Sequence, residues 1–388
     1  MMVTDGFETN ATATPGNGPQ SVDVRDIEDA LTQLWMTSHA DGRSSMQAYI
    51  LNLIIFAGSG ANAAAAQEIA ARVGQMHPSR TIILHTLDGN EPRLHAWISA
   101  QCEYGGGTEQ SGSEQVTLEA SGDGIRQLPG TLIPLLVPEV PVVLWWSGDG
   151  LFNHPIFPAL MDTSDELVID SSAFPDSVQM LARLHALGTE EYPGVALRDL
   201  AWARLTPWRE LTAQFFDAPP TRPYLDNIQR VQVTYASGDE EQYNPEQALL
   251  YGSWLASRLA WEPIPNLRRF GREMMVVMRD DDAPVTLEFS ARHAPDLPPG
   301  CLLSATLTAQ ADETIATFTI QRADDREHTV VTMRVREQTT QERIVPMHEG
   351  SVAEMLADEV STVRRDHVYD EALAVAMRIA SPRSGGSR

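Results

Sequence analysis

The sequence contains no lysine: all 28 of its basic residues are arginine. That excludes a Schiff-base lysine, a phosphate-loop lysine and a lysine general base. Positive charge is scarce altogether, with a formal net charge of −25. Nucleic acid requires a cationic face, and an anionic membrane surface requires a basic patch, so neither is an expected partner. The remaining basic cluster, Arg268, Arg269 and Arg272, reads as a solvated face or a local anion contact. Cysteine is almost missing. Cys102 and Cys301 are isolated from each other, make neither a disulfide framework nor a metal site, and suit a reducing, cytoplasmic compartment. Long apolar runs are missing too: the longest, 131–146, is broken by Pro134, Pro138, Glu139 and Pro141 and cannot form a membrane helix. The first 22 residues have neither a basic region nor an apolar core, so they read as a disordered segment and not as a signal peptide. The motifs HExxH, GxSxG and CxxC do not occur, and the ten histidines are scattered with no carboxylate completing a ligand set. No metal is expected.

What is present suits packed domains. The hydrophobic fraction is 43% over 388 residues, enough for two cores. Helical spacing is expected over 24–39, a β run over 46–57, an Ala-rich helix over 61–76 and a strand over 81–87. Strands at 96–104 and 114–120 flank a Gly-rich loop. A buried strand at 141–146, another at 166–170 and a helix at 175–187 follow. Continuous apolar strands alternating with helices indicate an α/β domain with a mostly parallel, doubly wound, Rossmann-like sheet. Beyond Asp217-Ala218-Pro219-Pro220 the pattern changes to short alternating strands, which indicates an α+β domain with an antiparallel meander closed by helices at 352–360 and 367–379. The expected organisation is therefore a disordered segment 1–23, an α/β domain 24–217, a linker 218–227, an antiparallel-sheet domain 228–380 and a flexible tail 381–388.

Gly58-Ser59-Gly60-Ala61-Asn62-Ala63 follows an expected strand and opens an expected helix, which is the setting of a dinucleotide fingerprint. Asp88 ends the next strand, where a ribose-binding carboxylate would sit, but it lies about 28 residues beyond Gly60 where the fingerprint expects about 20. A tight packing turn explains the glycines equally well. A nucleotide- or NAD(P)-binding oxidoreductase built on Gly58, Gly60 and Asp88 is the alternative reading. A sugar-phosphate sensor using Asp149 and Asp170 at the carboxyl edge of the sheet is a third.

Two aromatic clusters stand out. Trp145-Trp146 ends a strand, so the two indoles point to opposite faces. The segment from Asp199 to Glu210 holds Trp202, Arg204, Trp208 and Arg209, and Trp and Arg are the residues enriched at interaction hot spots. Thr206 reads as a helix N-cap with Pro207 at the first helical position, so Trp208, Arg209 and Glu210 fall in the first turn. Arginine there opposes the helix dipole. Its compensating carboxylate must come from elsewhere in the chain or from a partner, and Arg204 is similarly placed.

Four blocks resemble a known family. They are His77-Pro78-Ser79-Arg80 before a strand, Glu114-Gln115-Val116-Thr117-Leu118, the run from Leu135 to Trp146 ending in Val143-Leu144-Trp145-Trp146, and Asp199-Leu200-Ala201-Trp202 through Arg209-Glu210. In this order they resemble the OpcA family, the glucose-6-phosphate dehydrogenase assembly proteins. The resemblance implies a non-catalytic partner, without cofactor, that binds the dehydrogenase, aids its oligomeric assembly and raises its activity. It assigns Arg80, Glu114, Gln115, Trp145, Trp146, Trp202, Arg204, Thr206, Pro207, Trp208 and Arg209 to the family signature, as partner-binding or structural residues. Some members carry a redox-linked cysteine beside the Glu-Gln block. Here that position is Ser113, which removes the basis for thiol control.

Overall fold

The computed structural model describes residues 19–38, 49–58, 61–102, 112–147, 150–174, 177–238, 243–264, 267–280, 283–361 and 364–380. The chain divides into two compact units, Met1–Asp165 and Glu166–Arg388. The sequence reading places its boundary at 218–227 instead. Those residues form turns and a short helix inside the second unit.

The first unit runs β1 (Gln20–Val22), α1 (Ile27–Ser38), β2 (Leu51–Gly58), α2 (Ala61–Met76), β3 (Ser79–Leu87), β4 (Arg93–Cys102), β5 (Gly112–Ser121), α3 (Leu128–Leu132), β6 (Val142–Trp146) and α4 (Phe157–Met161). Its strands lie in the order β1-β4-β5-β3-β2-β6. β2 pairs parallel with β3 and β6, and β3 pairs parallel with β5. Every residue of β2 is buried, which is why its sequence, Asn52 apart, is apolar and does not alternate. α2 packs on β2, β3 and β5. Its close fit uses Gly74, where a Cβ would meet Ser113 at 3.1 Å, and the Ser113 hydroxyl donates to the Gly74 carbonyl at 2.8 Å. The double winding is interrupted between β3 and β5, where the chain inserts the antiparallel strand β4 in place of a helix. Gln20–Val22, read as part of a disordered segment, instead forms the edge strand β1 against β4.

The second unit runs β7 (Glu166–Ile169), α5 (Ser177–Ala186), β8 (Ala196–Asp199), α6 (Leu200–Ala203), α7 (Thr206–Gln214), α8 (Arg222–Leu225), β9 (Ile228–Ser237), α9 (Glu246–Arg258), β10 (Glu262–Pro263), β11 (Arg268–Phe270), β12 (Glu273–Arg279), β13 (Val285–His293), β14 (Leu302–Ala311), β15 (Thr314–Arg322), β16 (His328–Val335), β17 (Gln338–Pro346), α10 (Val352–Val360) and α11 (His367–Ala380). β7 and β8 pair in parallel. The large sheet has the order β10-β12-β13-β9-β14-β15-β16-β17, with β11 on β12. It is mostly antiparallel but not a simple meander. β9 lies between β13 and β14, and its pairing with β13 is parallel. One face is buried under helices: Phe215, Phe216 and Tyr224 surround Phe318 at 4.9–5.8 Å between ring centroids. α9 crosses the same face at Gly252, where a Cβ would meet Phe289 at 3.0 Å, so only glycine permits this approach without a shift. Among the described residues no helix is long and apolar enough to cross a membrane.

Candidate functional site

In the second unit the segment Asp199–Glu210 is held by a buried polar network. β8 ends at Asp199, whose extended backbone lets its carboxylate accept from the Ala201 N–H at 2.9 Å and cap α6. The same carboxylate accepts from the Ser171 N–H at 2.9 Å and from the Tyr369 hydroxyl at 3.1 Å. Burial pushes Asp199 up to about 6, and the nearby Asp170 adds to this. Asp366 caps α11 through the N–H groups of Val368 and Tyr369, and its other oxygen accepts from the Trp202 indole N–H at 2.9 Å. Trp202 is thereby fixed, with Tyr369 at 5.6 Å on one side.

The two signature arginines part company here. Arg204 donates to both oxygens of Asp170, at 2.9 and 2.7 Å, and so finds its carboxylate within the chain. Arg209 lies over the Trp202 ring with its guanidinium carbon 3.6 Å from the centroid. It donates to the Thr206 hydroxyl at 2.9 Å, while its Nε is buried without a hydrogen-bond partner. Among the described residues no carboxylate lies within ion-pair distance of it, and burial pushes it down to about 10. Thr206 does not cap α7 as the sequence reading has it. The helix begins at Thr206, Leu205 before it is already helical, and no side chain caps that end, so the Thr206 hydroxyl is left to accept from Arg209. Pro207 is half-buried in the first turn, Thr206 and Glu210 are exposed, and Trp208 is fully buried with Arg322 5.9 Å over its ring.

Beside this network Arg198 pairs with Glu166 at 3.5 Å and with Glu359 at 3.3 Å. Burial drives Glu166 up to about 7, against the lowering effect of Arg198. A carboxyl group raised in this way stabilises the fold below its ordinary value, and that contribution is lost as pH rises through about 7. Glu166→Gln removes the loss. Its melting temperature relative to wild type is therefore expected to climb between pH 5 and pH 8, by an amount worth about 1–2 kcal/mol. A pH-independent difference in a melting series contradicts this.

The other signature residues lie in the first unit. Arg80 and Glu114 open β3 and β5 at the amino edge of the parallel sheet, and Gln115 follows Glu114, half-buried and in register with Thr81. Glu114, 1% exposed, accepts from Arg80 at 2.8 Å and from the Trp35 indole N–H. Arg80 also donates to Glu28 at 2.6 Å and to the Leu135 carbonyl at 2.8 Å. This is an interior clamp. Trp145 and Trp146 are both buried; Trp146 stacks on Phe56 at 3.8 Å with Phe157 edge-on at 5.3 Å. At the glycine turn Gly58 is left-handed (φ 66°) and Asp88 is exposed just past β3, while Gly60 and Asp149 lie outside the described residues. Asp170, read from the sequence as a sugar-phosphate-sensor residue, is engaged by Arg204. Cys301 is buried and its thiol is pushed up to about 11 by burial, whereas the Cys102 side chain lies outside the described residues. Sequence reasoning missed Asp366, Tyr369 and the capping role of Asp199.

These features define a two-unit α/β protein in which two signature blocks, joined through Arg80 and Glu114, clamp the first sheet and another presents a stacked arginine from the second unit. The chain belongs to the OpcA family: the model for the glucose-6-phosphate dehydrogenase subunit N-terminal domain matches residues 70–186, and that for its C-terminal domain matches residues 195–373. Among relatives provisionally named OxPP cycle protein OpcA, that of Nostoc punctiforme is 34% identical over 208 residues, covering 52% of this chain and 42% of the relative. That of Synechococcus elongatus is 29% identical over 318 residues, covering 78% and 68%. The chain thus spans less than half the length of the first of these. A 3-ketoreductase from Actinomadura kijaniata has a TM-score of 0.47 at 11% identity, covering 86% of this chain and 95% of that one, too slight a likeness to carry function across.

Proposed function

We propose that this chain is a non-catalytic partner of glucose-6-phosphate dehydrogenase that binds it, promotes its oligomeric assembly and raises its activity in the oxidative pentose phosphate pathway. Family membership across both units supports this reading, and so do the names of the relatives. The observation that carries it to particular residues is Arg209: a guanidinium held rigidly on Trp202, next to the exposed Thr206 and Glu210, and lacking an ion-paired carboxylate among the described residues. A preorganised arginine of this kind is suited to a carboxylate on a partner surface. The test is a titration of the chain into the dehydrogenase, followed by the initial rate of NADP reduction. A saturable rise is expected, and a flat response contradicts the reading.

The left-handed Gly58 at the end of β2 is the one feature that favours the nucleotide-binding alternative. On the reading preferred here it is a packing turn, so NAD, NADP and ATP at millimolar concentration are expected to leave the melting temperature unchanged. A saturating shift, worth about 2.7 kcal/mol at a hundredfold excess over the dissociation constant, supports the alternative instead.

A further inference from the structure

In the second unit the end of α7, the turn after it and the outer strands of the large sheet enclose a cavity of about 180 Å³. Gln214 ends α7, and Phe215 and Asp217 carry the same wall onward. The sheet supplies the facing wall. Register sets Arg343 of β17 opposite Val331 of β16, and Met333 of β16 opposite Phe318 of β15. These side chains therefore share the helical side of the sheet, where Phe318 is buried. Phe215 and Val331 are buried and Met333 is half-buried, so the floor of the cavity is apolar. Gln214 and Asp217 are exposed, so its mouth is polar and open to solvent.

Arg343 brings positive charge to this lining. Its Nη2 donates to the Gln214 Oε1 at 2.7 Å, which orients the guanidinium. Its Nε is buried without a hydrogen-bond partner, and among the described residues no carboxylate pairs with it. Most of its donors are thus left over beside an apolar floor. An apolar cavity with a convergent charged donor has the makings of a small-molecule site. The space suffices: cavities of roughly 150 Å³ already hold a molecule the size of benzene. A planar carboxylate matches the edge of a guanidinium. A second negative charge on the ligand is disfavoured by Asp217, which borders the same cavity. We propose that this cavity binds a small monocarboxylic acid, with its carboxylate on the terminal nitrogens of Arg343 and its apolar body against Phe215, Val331 and Met333. The inference does not depend on the function proposed above.

The test titrates isocaproate into the full chain and follows it by saturation-transfer NMR. Saturable binding with a Kd of about 1 mM or tighter is expected for wild type. Isocaproamide keeps the shape and drops the charge, and is expected to bind at least about tenfold more weakly. Arg343→Gln is expected to weaken isocaproate by the same factor. Met333→Trp fills the floor, leaves Arg343 in place and is expected to abolish binding. Melting temperatures of the variants without probe, expected to match wild type, separate lost binding from lost folding. Wild type that shows no saturable binding up to about 10 mM overturns the proposal, as does binding that survives either substitution. An amide that binds as tightly as the acid overturns it too. So does displacement of the probe by an equal concentration of inorganic phosphate, which makes Arg343 a general anion contact.

Discussion

Arg204→Ala is expected to lower stability by about 3 kcal/mol, whereas Arg209→Ala is expected to cost less than about 1 kcal/mol and yet weaken binding to the dehydrogenase by roughly thirtyfold. The contrast follows from what each guanidinium touches. Arg204 neutralises Asp170 through two hydrogen bonds, and Asp170 in turn caps the turn that begins at Ser171. Truncation leaves that carboxylate largely enclosed and unpaired, which is the costly way to break an ion pair. For a unit of this size the loss corresponds to a fall of about 6–12 °C in melting temperature. Arg209 contributes stacking on Trp202 and one hydrogen bond to Thr206, but its guanidinium is desolvated without an ion-paired carboxylate. Removing it relieves part of the cost that its burial imposes, so the net loss is small. Under the proposed function its effect falls on partner binding. Melting each variant alone and measuring its affinity for the dehydrogenase checks both halves. If Arg209→Ala melts early and binds normally, Arg209 is a packing residue and the interface lies elsewhere.

Glu114→Ala is expected to destabilise the first unit by about 3–5 kcal/mol. The carboxylate is buried and accepts from Arg80 and from Trp35, which itself packs with Leu34 and Ala100. Its loss strands the Trp35 N–H and leaves Arg80 with Glu28 and one carbonyl. Glu114→Gln, which keeps an acceptor, is expected to recover part of the loss. Chemical denaturation of the three proteins checks this; a change below about 1 kcal/mol for Glu114→Ala places the clamp's energy elsewhere.

Much of this was readable from the chain. The all-buried strand Leu51–Gly58 and the amphipathic α11 announce themselves through continuous and 3.6-residue apolar patterns. Other elements carry no such mark. β8 is only four residues long, and β17 is almost wholly exposed, so neither shows the alternation that reveals a strand. The parallel insertion of β9 beside β13 is a long-range pairing that local pattern does not encode. The same holds for the site. The sequence placed Trp202, Arg204 and Arg209 together, but Asp366 lies 164 residues from Trp202 and Asp170 lies 34 from Arg204, and only folding shows which arginine is satisfied. Residue type alone marks Thr206 as a cap, but the preceding turn is already helical, a backbone fact that residue type does not reveal.

The central claim is that this chain acts by assembling glucose-6-phosphate dehydrogenase. The most direct measurement is the molar mass of the dehydrogenase by light scattering, alone and with this chain added at saturation, with the reaction rate read on the same samples. The account predicts a larger particle containing both proteins, a higher rate, and a loss of both with Arg209→Ala. A dehydrogenase whose mass and rate are unchanged by the added chain contradicts it.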